Sequence, residues 1–556
     1  MPYLTEYPFP QFQRDSYLCL NGEWDYKISK IDAIPEDFDG KIIVPFSPEV
    51  EMNKDINHIL QPDEYLFYKL VFNLEKSFIK DEVYLHFLGV DQIADVYLNN
   101  QYLGHHEGGY LPFKFEIKKY LKNKDNILIV KVKDYTDTSY LSRGKQKMER
   151  GGIWYTPQSG IYFPVFMESV PSLHVDKIKL TPDIDKNELI INVTSKADKC
   201  LIELDNKSLE IETNKDIHIQ IDNPHLWSTD DPYLYPLKVK VGEDVISSYF
   251  AMRKFSIVKD NKGKLRTALN NKPIFMNGIL DQGYYKKGLL TPTSYDDYIN
   301  DIELVKSLGY NTIRKHIKIE IPRWYYECDK RGIIVWQDFI NGGGSYEFNT
   351  ITLPLFTHIH SKDTKYQKFH RENEKERETI IEEFKSIIDY LYNCPCIGLW
   401  TIFNEGWGQF DAKKVLKIMQ EIDNTRIYDH ASGWHDQKVG ETKSLHVYFQ
   451  PAIMPLRKNR CIIISEYGGL VFPIEGHMME GDSVYKKFED KEKYLKAFKK
   501  LIKRDIVRNI KKGLSAAIYT QLSDVEEETN GFVTFDREVV KFDVDKIKEV
   551  NDLIHL

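Results

Sequence analysis

Cysteine is scarce in this sequence, and the six residues present form no recognisable framework. Cys394 and Cys396 are separated by one residue, too close for a Cys-x-x-Cys motif, and no second cysteine or histidine pair has zinc-ligand spacing. Six cysteines do not make a disulfide scaffold in a chain of 556 residues. The sequence therefore predicts reduced, buried thiols in a cytoplasmic protein.

Long apolar runs and an excess of positive charge are also absent. No run of about 18 apolar residues occurs, which excludes a transmembrane helix. Residues 1–6 lack the basic stretch and apolar core of a signal peptide, so we expect no secretion signal. The net charge of −8 disfavours a nucleic-acid partner, since such partners need a basic field. We therefore expect neither a membrane nor a nucleic-acid partner.

Short runs rich in β-branched and aromatic residues dominate the first half of the chain and predict strands. Asn99 and Asn100 separate two such runs, and they suit a tight hairpin because Asn tolerates positive φ. We predict a jelly-roll-like β-sandwich over residues 1–172. Alternating apolar and polar residues continue over 173–258, a length that suits an immunoglobulin-like β-sandwich.

From residue 259 the pattern changes to short apolar strands that alternate with amphipathic helices. The predicted strands are 274–279, 311–313, 333–337, 397–403, 426–430, 444–448, 461–466 and 514–521. Helices are predicted at 295–308, 322–330, 378–392 and 412–422. Eight strands with intervening helices predict a (β/α)₈ TIM barrel over 259–556, so the fold class is multidomain.

Two glutamates stand where the chemistry of such a barrel is expected. Glu405 follows the fourth predicted strand and Glu466 ends the seventh, so both face the barrel mouth from opposite sides. Paired carboxyl groups suggest glycoside hydrolysis, in which one protonates the leaving oxygen. A separation of about 5–5.5 Å lets the second attack the anomeric carbon with retention, whereas roughly 6.5–9.5 Å admits a water and gives inversion.

Motifs along nearly the whole chain resemble those of glycoside hydrolase family 2. In the first part they are residues 20–24 (LNGEW), 98–104 (LNNQYLG), 108–113 (GGYLPF), 152–154 (GIW) and 159–162 (SGIY). In the middle they are residues 224–228 (PHLWS) and 232–235 (PYLY). In the barrel they are residues 309–314 (GYNTIR), 400–405 (WTIFNE) and 465–468 (SEYG).

The resemblance implies roles for individual residues. Glu405 would be the general acid/base and Glu466 the nucleophile, while Asn404 would bind the sugar hydroxyl beside the anomeric centre. Arg314 would pair with the nucleophile and keep it ionised. Other residues at or near strand ends are expected to bind substrate, although a core or rim role fits the aromatic ones equally well. These are Asp281, His316, Asp338, Trp434, Tyr448, Tyr467 and Tyr519.

Departures from the family pattern bear on the sugar. A histidine common after the first barrel strand is missing, and His316 follows Arg314 by two residues instead of three. We expect Asp281 and His316 to replace the lost contacts. The Asn-x-Lys motif of β-glucuronidases is absent from the C-terminal region, where residues 529–532 read TNGF, so glucuronides are disfavoured. We also expect no extra C-terminal domains of the kind found in large β-galactosidases.

The resulting hypothesis is a retaining exo-glycosidase of β-linked sugars, with a glycoside or oligosaccharide as substrate. β-Galactosidase leads, and β-mannosidase, β-glucosidase and α-L-arabinosidase are alternatives. No organic cofactor is implied, and no metal ligands can be mapped onto the sequence. Two further hypotheses remain, a non-catalytic carbohydrate-binding protein and a transglycosidase. The sequence leaves a homo-oligomer open.

The first domain of family 2 relatives can lend a loop to the active site. Glu107, Arg143 and Lys145 are the candidates for that role. For all three, a solvated surface position is the favoured interpretation, because charged loop residues are mostly exposed.

Overall fold

The computed structural model describes residues 3–205, 207–357, 360–455, 459–479 and 486–556. Two antiparallel β-sandwiches precede an eight-stranded parallel barrel, so the predicted fold class is confirmed. Within those ranges no helix combines the length and the apolar character that crossing a membrane requires.

The first sandwich packs a six-stranded sheet against a four-stranded one. The six strands, in spatial order, are Gly40–Val44, Gly22–Ser29, Tyr65–Phe72, Asn126–Lys133, Ile93–Leu98 and Gln101–Glu107. The four are Tyr17–Cys19, Val165–Val170, Glu82–Phe87 and Phe113–Glu116, and a small ladder joins Gly160–Ile161 to Val90–Asp91. The predicted hairpin is confirmed, with Asn99 and Asn100 at φ of 54° and 67°.

The second sandwich is smaller and shows the clean alternation of a half-buried antiparallel sheet. One sheet contains Val175–Asp183, Glu188–Ser195 and Ile217–Gln220. The other contains Lys207–Glu212, Lys199–Leu204, Tyr235–Val241 and Asp244–Phe250. Leu189, Ile191 and Val193 point inward from one strand and are fully buried, whereas their neighbours are not.

The barrel contains the eight predicted strands, each within a few residues of its expected bounds. They run Met276–Asp281, Thr312–Lys315, Ile334–Asp338, Ile397–Thr401, Ile427–Asp429, Thr442–Val447, Cys461–Gly468 and Leu514–Thr520. Parallel pairing is continuous from the fifth strand back through the first to the eighth, seventh and sixth. The hydroxyl of Thr442 donates to the carbonyl of Tyr428 across the remaining gap between strands five and six.

Helices surround the barrel and short turns of helix occur elsewhere. The α-helices are Tyr295–Ser307, Pro322–Arg331, Phe348–Ile351, Leu353–Thr357, Glu374–Leu391, Ala412–Ile422, Lys491–Leu501, Arg508–Ile510 and Val544–Asn551, with a π-helical segment at Ile502–Val507. The 3₁₀ turns are Glu51–Asn53, Lys118–Tyr120 and Tyr366–Phe369. The helix predicted at 378–392 begins four residues earlier, because the Asn373 side chain caps its first turn.

Two connections fix the sandwiches to the barrel. A small antiparallel sheet of Phe255–Lys259, Leu265–Leu269 and Lys272–Pro273 covers the lower end, so the predicted boundary at 258 falls inside a strand. There the ring of Phe255 lies so close to Gly398 that an added Cβ would be 2.9 Å from it. At the upper end a loop of the first domain, residues 141–156, reaches the barrel mouth, where the Arg143 amide donates to the Asn341 carbonyl at 2.9 Å.

Candidate active site

Glu405 and Glu466 lie together at the barrel mouth. Glu466 is on the seventh strand, and Glu405 lies four residues beyond the end of the fourth. One carboxylate oxygen of each, together with a ring nitrogen of His446, lie within 4.8 Å of one another. Such a close approach is nearer to the about 5–5.5 Å between the carboxyl groups of a retaining pair than to the roughly 6.5–9.5 Å of an inverting pair.

Arg314 lies at the centre of the barrel and links Glu466 to the segment that carries Glu405. Its side chain is fully buried, and Nη1 donates to Oε1 of Glu466 at 3.0 Å. Nη2 donates to Oδ1 of Asn404 at 2.9 Å, and Nε donates to Asp338 at 3.0 Å. The guanidinium thus holds the nucleophile candidate and the residue before the acid candidate in one fixed geometry.

The surroundings of Glu466 favour its ionised form. Burial alone would raise the pKa of this carboxyl, but the charges of His446 and Arg314 outweigh burial and lower it to about 2. Tyr448 adds a hydrogen bond from its hydroxyl to the second carboxylate oxygen. Glu466 is therefore a carboxylate under all ordinary conditions, as a nucleophile must be.

The surroundings of Glu405 favour its protonated form. Burial raises the pKa of this carboxyl, a hydrogen bond from His446 opposes that shift, and the nearby charge of Glu466 adds to it. The backbone of Glu405 is left-handed, with φ of 51°, a conformation rare for Glu that commonly marks functional sites. Trp434 holds that backbone by donating from Nε1 to the Glu405 carbonyl at 2.9 Å.

His446 stands between the two glutamates, and the sequence analysis did not identify it. Its side chain is fully buried; Nδ1 lies 2.9 Å from Oε1 of Glu405, and Nε2 lies 3.5 Å from Oε1 of Glu466. The hydroxyl of Ser432 also contacts Nε2, at 2.9 Å. The signal was available, since His446 lies on the sixth strand two residues before Tyr448, and side chains two apart share a face.

Several predicted residues reach the cavity or support it from below. His316 lines the cavity, and its Nδ1 lies 2.8 Å from Asp338, which itself lies beneath and bonds Arg314. Burial and the charge of Lys145 lower the pKa of His316, so its ring is neutral. Trp434 and Tyr448 are also in the wall. Asn404 has a buried side-chain nitrogen without a hydrogen-bond partner among the described residues.

Arg314, Asn404 and Asp338 lie behind the cavity lining, and three further predicted residues do not reach the cavity either. The side chain of Asp281 is buried against Lys315, which donates to it at 2.5 Å. Tyr467 and Tyr519 pack on each other, with ring centroids 5.5 Å apart. The physical reason is the two-residue period of a strand. Because Glu466 faces inward, Tyr467 faces outward, and the inward positions at the other two strand ends belong to neighbours of the predicted residues.

The first domain supplies part of the cavity wall. Lys145 and Ile153 both line it, and only 6% of Lys145 is exposed, so the expectation of a solvated surface was wrong for this residue. It was also wrong for Arg143, which is buried and stacks on Tyr346, with its guanidinium carbon 4.7 Å from the ring centroid. Glu107 is exposed, as expected.

The cavity has a volume of about 180 Å³, and both basic and acidic side chains line it. This volume is below the roughly 300–1,000 Å³ of pockets that hold drug-sized ligands, so it suits a single sugar unit. The lining residues beyond those already described are Leu280, Gln282, Ile351, Thr352, Leu355, Trp407, Phe449, Thr520 and Glu528. Trp407 fixes the first-domain loop as well, because Trp154 packs on it with ring centroids 5.0 Å apart.

Two groups of side chains in the described ranges have the spacing of metal ligands. One is Glu405, His446 and Glu466, but side-chain atoms of this group are already hydrogen-bonded to Arg314, Tyr448 and Ser432. The other is His477, Asp536 and Glu538, which lies at the surface. Neither arrangement identifies a particular ion, because exposed or catalytic carboxylates commonly cluster without one.

The sequence matches one protein family over most of its length. Residues 18–171 match the sugar binding domain of glycosyl hydrolases family 2, residues 193–253 match a further segment described as glycosyl hydrolases family 2, and residues 262–555 match the family's TIM barrel domain. The last match alone covers more than half of the chain.

Individual relatives and solved structures agree with that match. A β-galactosidase of Thermoanaerobacter pseudethanolicus is 24% identical over 83% of this chain, which spans 62% of that relative's length. A β-galactosidase large subunit of Lactobacillus helveticus is 28% identical over 78% of this chain and 75% of its own length. The β-D-glucuronidase structure of Dictyoglomus thermophilum superposes with a TM-score of 0.77 at 17% identity, covering 98% of both chains. The protein described here therefore belongs to glycoside hydrolase family 2 and is an O-glycosidase.

Proposed function

We propose that this protein is a retaining, exo-acting β-glycosidase in which Glu466 is the nucleophile and Glu405 the general acid/base. The observation that carries the proposal is the separation of the two carboxylates, with oxygens within 4.8 Å of each other. That close approach is nearer to the about 5–5.5 Å between carboxyl groups that is typical of double displacement than to the roughly 6.5–9.5 Å that is typical of inversion. The opposite pKa shifts of the two groups support the same assignment.

The reaction then follows from the contacts already described. Glu466 attacks the anomeric carbon while Glu405 gives its proton to the leaving oxygen, and a covalent glycosyl-enzyme results. Glu405, now ionised, takes a proton from the incoming water, which attacks the same carbon and releases Glu466. The unpartnered Nδ2 of Asn404 is available to the adjacent sugar hydroxyl throughout.

We infer that a neutral hexose, with galactose first, occupies the cavity. The sequence relatives named above are β-galactosidases. Glu528 lines the cavity and would repel the carboxylate of a uronic acid, while Lys145, His316 and Gln282 offer contacts to hydroxyls. The small volume of the cavity supports removal of one terminal sugar at a time.

A β-uronide is the alternative that one observation favours. The Lys145 ammonium has no hydrogen bond or ion pair among the described residues, although its side chain is buried in the cavity wall. A lysine in that position can bind a sugar carboxylate as readily as a hydroxyl. The choice between a neutral hexose and a uronic acid therefore depends on whether attraction by Lys145 or repulsion by Glu528 is stronger at the sugar's carboxylate.

The decisive experiment is hydrolysis of a panel of aryl glycosides. It contains the β-galactoside, β-glucoside, β-mannoside, β-glucuronide, β-galacturonide and α-L-arabinosides, with Glu466→Gln protein as the blank. We expect the wild type to cleave one sugar of the panel and the variant to cleave none. If that sugar is a β-hexoside, the NMR spectrum should show the β-anomer as the first product. Wild-type rates in Glu466→Gln protein would refute the assignment of the nucleophile. A second reaction with added acceptor sugar tests for transglycosylation, which would transfer the sugar to that acceptor.

A further inference from the structure

Two phenylalanines stand exposed and stacked beside the active-site cavity. Phe356 lies on the short helix Leu353–Thr357, in the connection after the third barrel strand, and Phe449 lies on the loop after the sixth strand. Their ring centroids are 6.0 Å apart and their planes differ by 17°. About half of each residue is exposed, 54% for Phe356 and 50% for Phe449. Single exposed apolar residues are ordinary, but a contiguous patch beside a binding site marks an interaction surface.

This patch continues the active-site cavity outward. Leu355, Tyr448 and Phe449 line both the cavity and a shallow groove of about 80 Å³ next to it. Phe356 and Ile453, which is 76% exposed, extend the groove to the surface. We call Leu355, Phe356, Phe449 and Ile453 the phenylalanine rim. Because Tyr448 bonds the nucleophile candidate Glu466, the rim begins one side chain away from the reacting centre.

The composition of the groove selects an apolar, uncharged occupant. Among the described residues that line it, none is Lys, Arg, Asp or Glu; besides the rim they are Leu445, His446, Val447, Tyr448, Gln450 and Pro451. A second sugar would need several donors and acceptors for its hydroxyls, and the exposed groove offers few of them. A flat aromatic ring needs none, and it gains from an offset or edge contact with the phenylalanines.

We propose that the phenylalanine rim binds the aglycone of the substrate, and that this aglycone is a flat, uncharged aromatic group such as a phenol or naphthol. The inference rests on the proposed function, since an exo-acting glycosidase keeps the glycone in the cavity and directs the leaving group to its mouth. The protein is then a glycosidase of aryl glycosides in preference to disaccharides.

The test compares three leaving groups on the sugar that the panel identifies. Phenyl and 2-naphthyl glycosides differ in apolar area but leave as phenols of similar acidity, and a disaccharide serves as the sugar-leaving control. Phe356→Ala and Phe449→Ala are measured beside Phe348→Ala. Phe348 begins the short helix just before that of Phe356 and is 62% exposed, but it lines neither the cavity nor the groove, so it is a matched control.

We expect Phe356→Ala and Phe449→Ala each to lower kcat/KM for the 2-naphthyl glycoside about three- to tenfold, mainly through KM. The disaccharide should change less than twofold in Phe356→Ala protein, since Phe356 does not line the cavity, and Phe348→Ala should leave all three substrates unchanged. Equal losses on the disaccharide would overturn the inference in favour of a sugar subsite. Unchanged kinetics in both rim variants would overturn it as well.

A separate binding measurement distinguishes this inference from the proposed function. Calorimetry of wild-type protein with phenyl and 2-naphthyl thioglycosides, which resist hydrolysis, should show tighter binding of the naphthyl compound. That difference should disappear in Phe356→Ala protein. If the wild type hydrolyses no glycoside yet keeps this difference, only the proposed function fails; if hydrolysis occurs without it, only the aglycone assignment fails.

Discussion

Replacing His446 by alanine should move the pH optimum of hydrolysis upward. The imidazole lies 2.9 Å from Glu405 and 3.5 Å from Glu466, and both contacts favour the ionised carboxylates. Without it, both carboxyl pKa values rise. The acid limb of the profile reports ionisation of the nucleophile and the alkaline limb reports loss of the proton from the general acid. Both limbs should therefore shift to higher pH.

The size of the shift follows from the bond that is lost. A hydrogen bond to a charged group contributes about 1.5–3 kcal/mol, and one pKa unit corresponds to about 1.4 kcal/mol. Loss of the Nδ1 contact should therefore raise the alkaline limb by about one to two pH units. The longer Nε2 contact to Glu466 is worth less, and Arg314 still holds that carboxylate, so the acid limb should move by a smaller amount.

The assay is kcat/KM for an activated aryl glycoside between about pH 3 and pH 10. Tyr448→Phe provides the comparison, because it removes a hydrogen bond to Glu466 without touching Glu405. That variant should move the acid limb upward and leave the alkaline limb in place. An alkaline limb that stays fixed or moves to lower pH in His446→Ala protein would refute the reasoning, since it would mean that His446 does not stabilise ionised Glu405.

Three further predictions test separate parts of the molecule. Glu405→Ala should retain activity only on substrates with acidic leaving groups, and azide should restore turnover; failure to form a β-glycosyl azide would contradict the acid/base role. Lys145→Ala should raise KM about tenfold or more with a smaller change in kcat, measured by initial rates, because Lys145 lines the cavity in which we propose that the sugar binds. Asp436→Asn should lower the free energy of unfolding by about 2–4 kcal/mol at pH 7, because this carboxylate is held by Arg460, Lys443 and His430. Burial alone would raise the pKa of Asp436, but the hydrogen bonds from these three partners outweigh burial, and the pKa is lowered. The carboxylate's contribution to the free energy of unfolding is therefore present above about pH 4 and is lost as the pH falls. Thermal unfolding at pH 7 and pH 3 should show the smaller deficit at pH 3; equal deficits would contradict the pairing.

Much of the fold could be predicted because local patterns and tertiary contacts agree. All eight barrel strands were found within a few residues, since buried parallel strands are continuously apolar. The helix Ala412–Ile422 was predicted with its observed bounds, because its apolar residues recur at helical spacing. The Asn99–Asn100 turn was predicted from the residue type that positive φ requires.

The candidate site was predicted less completely, for two physical reasons. The first is that strand ends are uncertain by a residue or two, and a shift of one residue reverses which face a side chain occupies. Asp281 was chosen where the inward position belongs to Gln282. The second is that no local pattern reveals contacts between domains. Lys145 looks like any charged loop residue until the first domain docks on the barrel.

The division of labour between the glutamates depends on an asymmetry in their surroundings. Two equivalent carboxyl groups this close would share one proton, since like charges at short range disfavour joint ionisation. Arg314 and Tyr448 bond Glu466, whereas Glu405 has neither and relies on His446. Glu466 consequently keeps its charge and the proton remains on Glu405. The same residues that hold Glu466 therefore also favour Glu405 as the acid, and this is why Tyr448→Phe should move the acid limb alone whereas His446→Ala should move both limbs.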